Sequence, residues 1–213
     1  FIGMGVVSFT LFNLAYLSSM QLNRSLSTAA VLLYTAPMFV MLMSAVLFKE
    51  KITIKKLIAL AVAVLGCALV SFGSYDATPL GIIVGLLSGL GYALYSIFSR
   101  FALNRGYSSL TINFYSCLLA TIGATVVGGT EYLNIITASA PNLGFAFATG
   151  LVTCFLPYLL YTRGLEGLEN GKASIMASVE PVVATIVGVV IYKEALTAMS
   201  AAGIVLVLSL IHI

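Results

Sequence analysis

Eight stretches of about twenty mostly apolar residues, joined by connectors too short to fold alone, constrain this chain more than any other feature of it. A bilayer core takes about 20 consecutive apolar residues per helix. The stretches lie at roughly 1–22, 27–48, 55–73, 79–100, 109–129, 143–163, 172–192 and 197–213. Gly73-Ser74 with Asp76 and Pro79, Asn104-Arg105-Gly106, and Asn170-Gly171 punctuate the connectors. Charged residues make up only 8% of the chain where a soluble domain carries roughly 25%, and hydrophobic residues reach 61%. The expected fold class is an all-α integral membrane protein, a bundle of eight transmembrane helices.

Eight spans make the connectors alternate between the two faces of the membrane. Lys49, Lys51, Lys55, Lys56, Arg100, Arg105, Arg163 and Lys172 then share one face, and only Arg24 and Lys193 fall on the other. Loops rich in Lys and Arg stay in the cytoplasm, so the C-terminus is expected there, in a bacterial plasma (inner) membrane. The net charge of +3 is too small and scattered for a nucleic-acid surface. Cys67, Cys117 and Cys154 lie inside apolar runs without CxxC or Cys/His spacing, so neither a disulfide framework nor a metal site is expected, and no cofactor is called for. Phe1 opens directly in an apolar run with no basic leader, and that start reads as a cut.

The sequence also repeats itself. Residues 29–53 align with residues 173–197 without a gap: Pro37 with Pro181, Lys49-Glu50 with Lys193-Glu194, and Thr53 with Thr197, all 144 residues apart. The matched residues are those that bend or end helices. Each Lys-Glu pair ends its helix, and the charge assignment puts the two pairs on opposite faces. Copies of opposite orientation form an inverted repeat, a common architecture of secondary transporters. The expected units are 1–74, the last three helices of an incomplete first repeat, and 79–213, the five helices of the second. By the same offset residue 1 corresponds to residue 145, so 66 residues from 79 onward lack a counterpart; this predicts two further N-terminal helices and a ten-helix parent.

The paired patterns YTAPMFVMLMSAVLFKE at 34–50 and SVEPVVATIVGVVIYKE at 178–194, with GLGYALYSIFSR at 89–100 and YLLYTRGLE at 158–166, resemble the ten-helix EamA-type branch of the drug/metabolite transporter superfamily over essentially the whole chain. The resemblance implies two five-helix inverted bundles around a substrate cavity open to one side at a time. It also implies export of amino acids, other metabolites or drugs, with relatives that carry nucleotide sugars and triose phosphates. The last helix stops at Leu210-Ile211-His212-Ile213 without the family's basic tail.

Glu180 is the acidic residue well inside an apolar segment. Ionised and unpaired there it costs several kcal/mol, so such residues usually mark a substrate or proton path; an interhelical hydrogen bond is the alternative. Its counterpart in the first copy is Ala36. Pro37 and Pro181 each remove a helical hydrogen bond near the midplane, and with Pro157 they are candidate hinges or simple structural kinks. Ser88, Tyr92, Tyr95 and Ser99 form one polar-aromatic stripe at helical spacing. Tyr158 and Tyr161, Asn13 and Tyr16, Asn113 and Ser116, and Tyr34 are further candidates for a pocket that takes a flat or amphipathic solute. Tyrosines near helix ends also form interfacial belts. Gly81, Gly85 and Gly89 form a ladder suited to close helix packing.

These residues point to a secondary active transporter of a small metabolite, such as an amino acid or drug-like solute, working by alternating access. Expected partners are the small-molecule substrate, the lipid bilayer, a coupling proton and a second copy in a homodimer. A nucleotide-sugar or phosphorylated-sugar carrier is the alternative, but it wants several Lys or Arg at cavity depth, and here they stand at helix ends. A membrane-embedded enzyme would need clustered polar groups such as HExxH, yet the single histidine is His212. A channel would show filter loops or charged rings.

Overall fold

A computed structural model of the chain describes residues 1–24, 26–70, 78–128, 140–191, 193 and 197–209. Regular structure among them is helical and groups into eight successive helices. α1 begins as a π-helix, Gly3–Phe9, and continues as Thr10–Asn23. α2 comprises Leu26–Leu33 and Ala36–Leu47, α3 is Ile54–Val70, α4 is Pro79–Asn104, and α5 is Ser109–Gly128. α6 comprises Ala140–Gly150, a π-helical Leu151–Phe155 and Leu156–Gly167. α7 comprises Asn170–Ala177 and Glu180–Ile191, and α8 is Ala198–Ser209.

Six of these, α1, α2, α4, α5, α6 and α7, are long and apolar enough among the described residues to cross a membrane. α3 and α8 have 17 and 12 residues and run to the border of the described residues. The expected connector residues Gly73, Ser74 and Asp76, together with Glu194 and the end Leu210-Ile211-His212-Ile213, lie outside the described residues. α4 runs four residues further than expected, to Asn104, because its stop signal is Gly106 at φ +81°: Gly106 and Tyr107 donate back to Leu103 and Ala102 carbonyls.

Helix boundaries recur at the spacing of the sequence repeat. The breaks after Leu33 and Ala177 and the restarts at Ala36 and Glu180 are each 144 residues apart. Lys49 and Lys193, also 144 apart, both take the left-handed conformation, at φ +56° and +60°. α2 and α7 run in opposite directions, since Glu50, just beyond the end of α2, meets the start of α7.

α4 is the central post, packed along α1 and also against α2, α5, α6 and α7, while α3 pairs with α8. Bilayer hydrocarbon offers no gain for burying apolar side chains between helices, so close approach and interhelical hydrogen bonds hold such bundles. The glycine ladder serves that approach: a Cβ at Gly81 would stand 2.1 Å from the Asn23 amide oxygen, and one at Gly85 2.4 Å from Leu32. Ser8 Oγ donates to the Gly91 carbonyl at 2.7 Å, and Ser19 Oγ to that of Gly81 at 2.9 Å. Asn23, fully buried, accepts from the Thr78 N–H at 3.0 Å and so joins the end of α1 to the start of α4.

At Gly91 a Cβ would meet the backbone nitrogen of Phe12 at 2.7 Å, where no rotamer change gives relief. Gly91→Ala is expected to cost about 1–3 kcal/mol by forcing α1 away from α4. Gly164→Ala, with nothing within 4 Å of its new Cβ, should cost nothing measurable. Thermal unfolding in one detergent separates the two; equal midpoints would refute the close crossing.

Candidate functional site

The geometry of the candidate site starts from two interruptions. Proline cannot donate a backbone hydrogen bond, so Pro37 and Pro181 leave the helical acceptors at Leu33 and Ala177 without their donors. The chain responds by tightening. Thr35 N donates to Leu32 O at 3.2 Å and Met38 N to Thr35 O at 2.9 Å; Ser178 N donates to Ile175 O at 3.0 Å and Val182 N to Val179 O at 3.0 Å. These three-residue bonds bridge residues 34–35 and 178–179. Both prolines thus stand second in a resumed helical segment rather than inside an unbroken helix, and Pro157 is likewise second in Leu156–Gly167, directly after a π-helical stretch.

The two breaks face each other across a crevice of about 20 Å³ lined by Tyr34, Pro37, Tyr92, Ser174, Ser178 and Glu180. That volume admits about one water molecule. Glu180 opens the second segment of α7, where the positive end of a helix favours a carboxylate. Its side chain is exposed and has no hydrogen bond or ion pair among the described residues. Tyr34 and Tyr92 line the crevice beside it. Ser178 Oγ is buried without a partner. The arrangement is a carboxyl and a hydroxyl, both without partners among the described residues, beside two phenols, at the points where both helices lose their regular hydrogen bonding.

A second aromatic group continues from Tyr92 toward α6. Phe12 stacks on Tyr16 at 6.0 Å and meets Tyr92 edge-on at 5.7 Å. Tyr95 is nearly buried, with its hydroxyl 2.8 Å from Thr162 Oγ1 and its ring 4.7 Å from that of Tyr158. Tyr161 donates to Ser96 Oγ at 3.1 Å. Tyr34, Tyr92 and Glu180 therefore share the crevice, Tyr16 reaches Tyr92 through Phe12, and Tyr158 packs on Tyr95.

Three expected lining residues have other duties. Ser88 is fully buried and donates to the Gly85 carbonyl of its own helix at 2.6 Å. Asn113 is fully buried and donates to the Phe155 carbonyl of α6 at 2.9 Å. Asn13 donates to Phe9 O at 2.8 Å and opens onto a separate groove of about 550 Å³ between α1, α5 and α6.

Sequence reasoning missed the junction at the charged end. Glu50, following α2, accepts the backbone N–H of Asn170 at 2.9 Å and of Gly171 at 3.2 Å, capping α7 from 120 residues away. Asn170, fully buried, accepts from Arg100 Nε at 2.8 Å and donates to the Ser96 carbonyl at 3.4 Å. Arg100 also donates to the Leu168 carbonyl. Lys56 Nζ lies 2.8 Å from Glu169, which also faces Lys172 at 3.6 Å. The hydrogen bond and charge of Lys56 hold the Glu169 carboxyl below the usual carboxylate range, against partial desolvation. An Asn-Gly pair reads as a turn in sequence, and its isolated polar character inside the bundle end was the available signal.

Residues 1–72 and 79–211 match the model of the EamA-like transporter family. A protein of Archaeoglobus fulgidus named as an uncharacterized transporter is 30% identical over 207 residues, covering 97% of this chain and 73% of its own length. A second protein of that name and organism is 30% identical over 196 residues, with coverage of 89% and 67%. A solved crystal structure superposes with a TM-score of 0.76 at 16% identity, over 98% of this chain and 73% of its own, which shows a shared fold.

Removing the amide of Asn170 strands the Arg100 guanidinium, so Asn170→Ala is expected to destabilise by about 1–3 kcal/mol in thermal unfolding. The Glu169 pair has a milder, pH-dependent signature. A carboxyl with a depressed folded pKa stabilises above its unfolded pKa and loses that contribution as pH falls through the folded one. The pair is half-exposed and worth about 1 kcal/mol or less. Glu169→Gln should lower stability at neutral pH and flatten the acid-side decline; an unchanged acid limb would show that the pair contributes nothing.

Proposed function

The chain belongs to the EamA-like transporter family, and from that premise we propose that it is a secondary active carrier that exports a small amine-bearing solute, an amino acid or drug-like molecule, by alternating access. The chain is a multi-pass membrane transporter. Glu180 supports the finer reading: a carboxylate without a protein partner, placed among tyrosines, suits a cationic or zwitterionic group whose apolar part rests on aromatic faces. The same carboxylate can hold a proton when the solute is absent, because an ionised carboxylate without a partner at membrane depth is costly. Exchange of proton for amine at one group couples the two fluxes. Anionic sugar phosphates fit less well, since no Lys or Arg among the described residues lines the crevice.

Alternating access follows from two half-molecules of opposite orientation. In this reading 1–74 contributes three helices of one repeat, 79–213 contributes five of the other, and the matched breaks in α2 and α7 are the bends about which they rock. The Glu50 cap ties the repeats together at the lysine-rich end, which we place in the cytoplasm of a bacterial cell together with the C-terminus. By the repeat offset, Glu194 is the counterpart of Glu50, and Leu26 and Ser27 are the counterparts of Asn170 and Gly171.

Glu180→Gln is expected to abolish or strongly reduce proton-driven export and to remove its pH dependence, while the protein still folds. Transport into energised vesicles, followed across pH, checks this; identical profiles for variant and parent would end the coupling role. Glu50→Gln weakens the cap on α7 and should raise the reactivity of a cysteine placed at Ser174 toward reagents added from the lysine-rich side. If instead labelling showed positions 50 and 194 on one face of the membrane, the rocking arrangement would be wrong.

A further inference from the structure

A hollow of about 800 Å³ lies at the lysine-rich end, between the corner that joins α2 to α3 and the start of α7. Lys49, Lys51, Lys55, Lys56 and Lys172 line it, against two carboxylates, Glu50 and Glu169. Both carboxylates are engaged. Glu50 accepts the N–H groups of Asn170 and Gly171, and Glu169 is held between Lys56 and Lys172. Lys49, Lys51 and Lys55 have no carboxylate within ion-pair distance among the described residues. Five lysines against two carboxylates leave an excess of +3, equal to the formal net charge of the whole chain.

The hollow is built rather than merely charged. Lys56 is 8% exposed in its side chain, and its Nζ donates to the Lys51 carbonyl at 3.0 Å, which fixes the corner that carries the free lysines. Ala59 and Ile175 form a buried apolar floor. From its rim the outer face of α3 runs away as an exposed apolar stripe, Ile54 at 69%, Ile58 at 52% and Leu65 at 60%, spaced to lie on one side of the helix. A phosphate carried on acyl chains meets the lysines while its tails join the bilayer lipid that covers this stripe. A neutral lipid covers the stripe and leaves the excess charge unanswered.

We propose that this hollow binds the headgroup of an anionic phospholipid, its phosphate among Lys49, Lys51 and Lys55 and its acyl chains along Ile54, Ile58 and Leu65. Basic pockets between helix ends on the cytoplasmic side suit such headgroups, whose leaflet attracts clustered Lys and Arg. The headgroup neutralises the free lysines of the α2–α3 corner that carries the Glu50 cap, so occupancy stabilises that corner. The site does not depend on the nature of the transported solute.

The test uses the intact protein purified in a neutral detergent. Phosphatidylglycerol, phosphatidylcholine and glycerol 3-phosphate are titrated separately while thermal unfolding is followed, and native mass spectrometry counts retained lipid. Phosphatidylglycerol should raise the unfolding midpoint and be retained, with an effect that weakens as salt rises. Lys51→Gln with Lys55→Gln, both exposed side chains, should weaken this affinity at least tenfold, while Glu180→Gln leaves it unchanged. An equal effect of phosphatidylcholine overturns the proposal, and so does full retention by the double lysine variant. An equal effect of glycerol 3-phosphate overturns it in favour of a soluble anion.

Discussion

Inside hydrocarbon every backbone N–H and C=O needs a partner within the protein, and the rest of this structure depends on how that requirement is met where helices break. Along α4 it is met by an unbroken helix from Pro79 to Asn104. In α2 and α7 prolines prevent it, and the chain substitutes tight turns at 34–35 and 178–179. Thr35 Oγ1 adds a bond to the Leu32 carbonyl at 2.6 Å. The breaks are tolerable because each is packed against the other helix and against Tyr92 of α4. An interruption that must be shielded from lipid is also a place where polar groups can face a solute, so structural constraint and candidate site coincide.

Around that centre the bundle is held by small residues and single hydrogen bonds rather than by a large apolar core. Ser8, Ser19 and Asn23 reach from α1 to α4 along a surface of glycines that lets the backbones approach. At the lysine-rich end the junction is ionic and capped: Glu50 on the start of α7, Arg100 on Asn170, Lys56 on Glu169. Such links are directional, so they make and break as units.

The fold was largely legible. Length and hydropathy place the helices within a few residues, because the bilayer imposes one length on every span. The repeat read from Pro37, Lys49-Glu50 and Thr53 anticipated that α2 and α7 would break alike, since proline and helix-ending residues act through local backbone chemistry. The candidate site was half legible. Glu180, Tyr34 and Tyr92 meet at the crevice, but Ser88 and Asn113, which share helix faces with the expected lining, bond instead to Gly85 and Phe155 carbonyls. Helical periodicity assigns a face; it does not say whether a neighbouring helix or a cavity occupies it.

What the sequence by itself determined is class, span and the positions of the breaks, all consequences of transfer energies and backbone chemistry that act residue by residue. What only the tertiary structure decided is partnership. Nothing near Glu50 in sequence foretells that it caps a helix 120 residues away, that Asn170 takes the Arg100 guanidinium, or that five lysines from the α2–α3 corner and the start of α7 enclose one hollow. Those contacts depend on which helix ends the packing of α1, α2 and α7 around α4 brings together, and long-range proximity is a property of the assembled bundle.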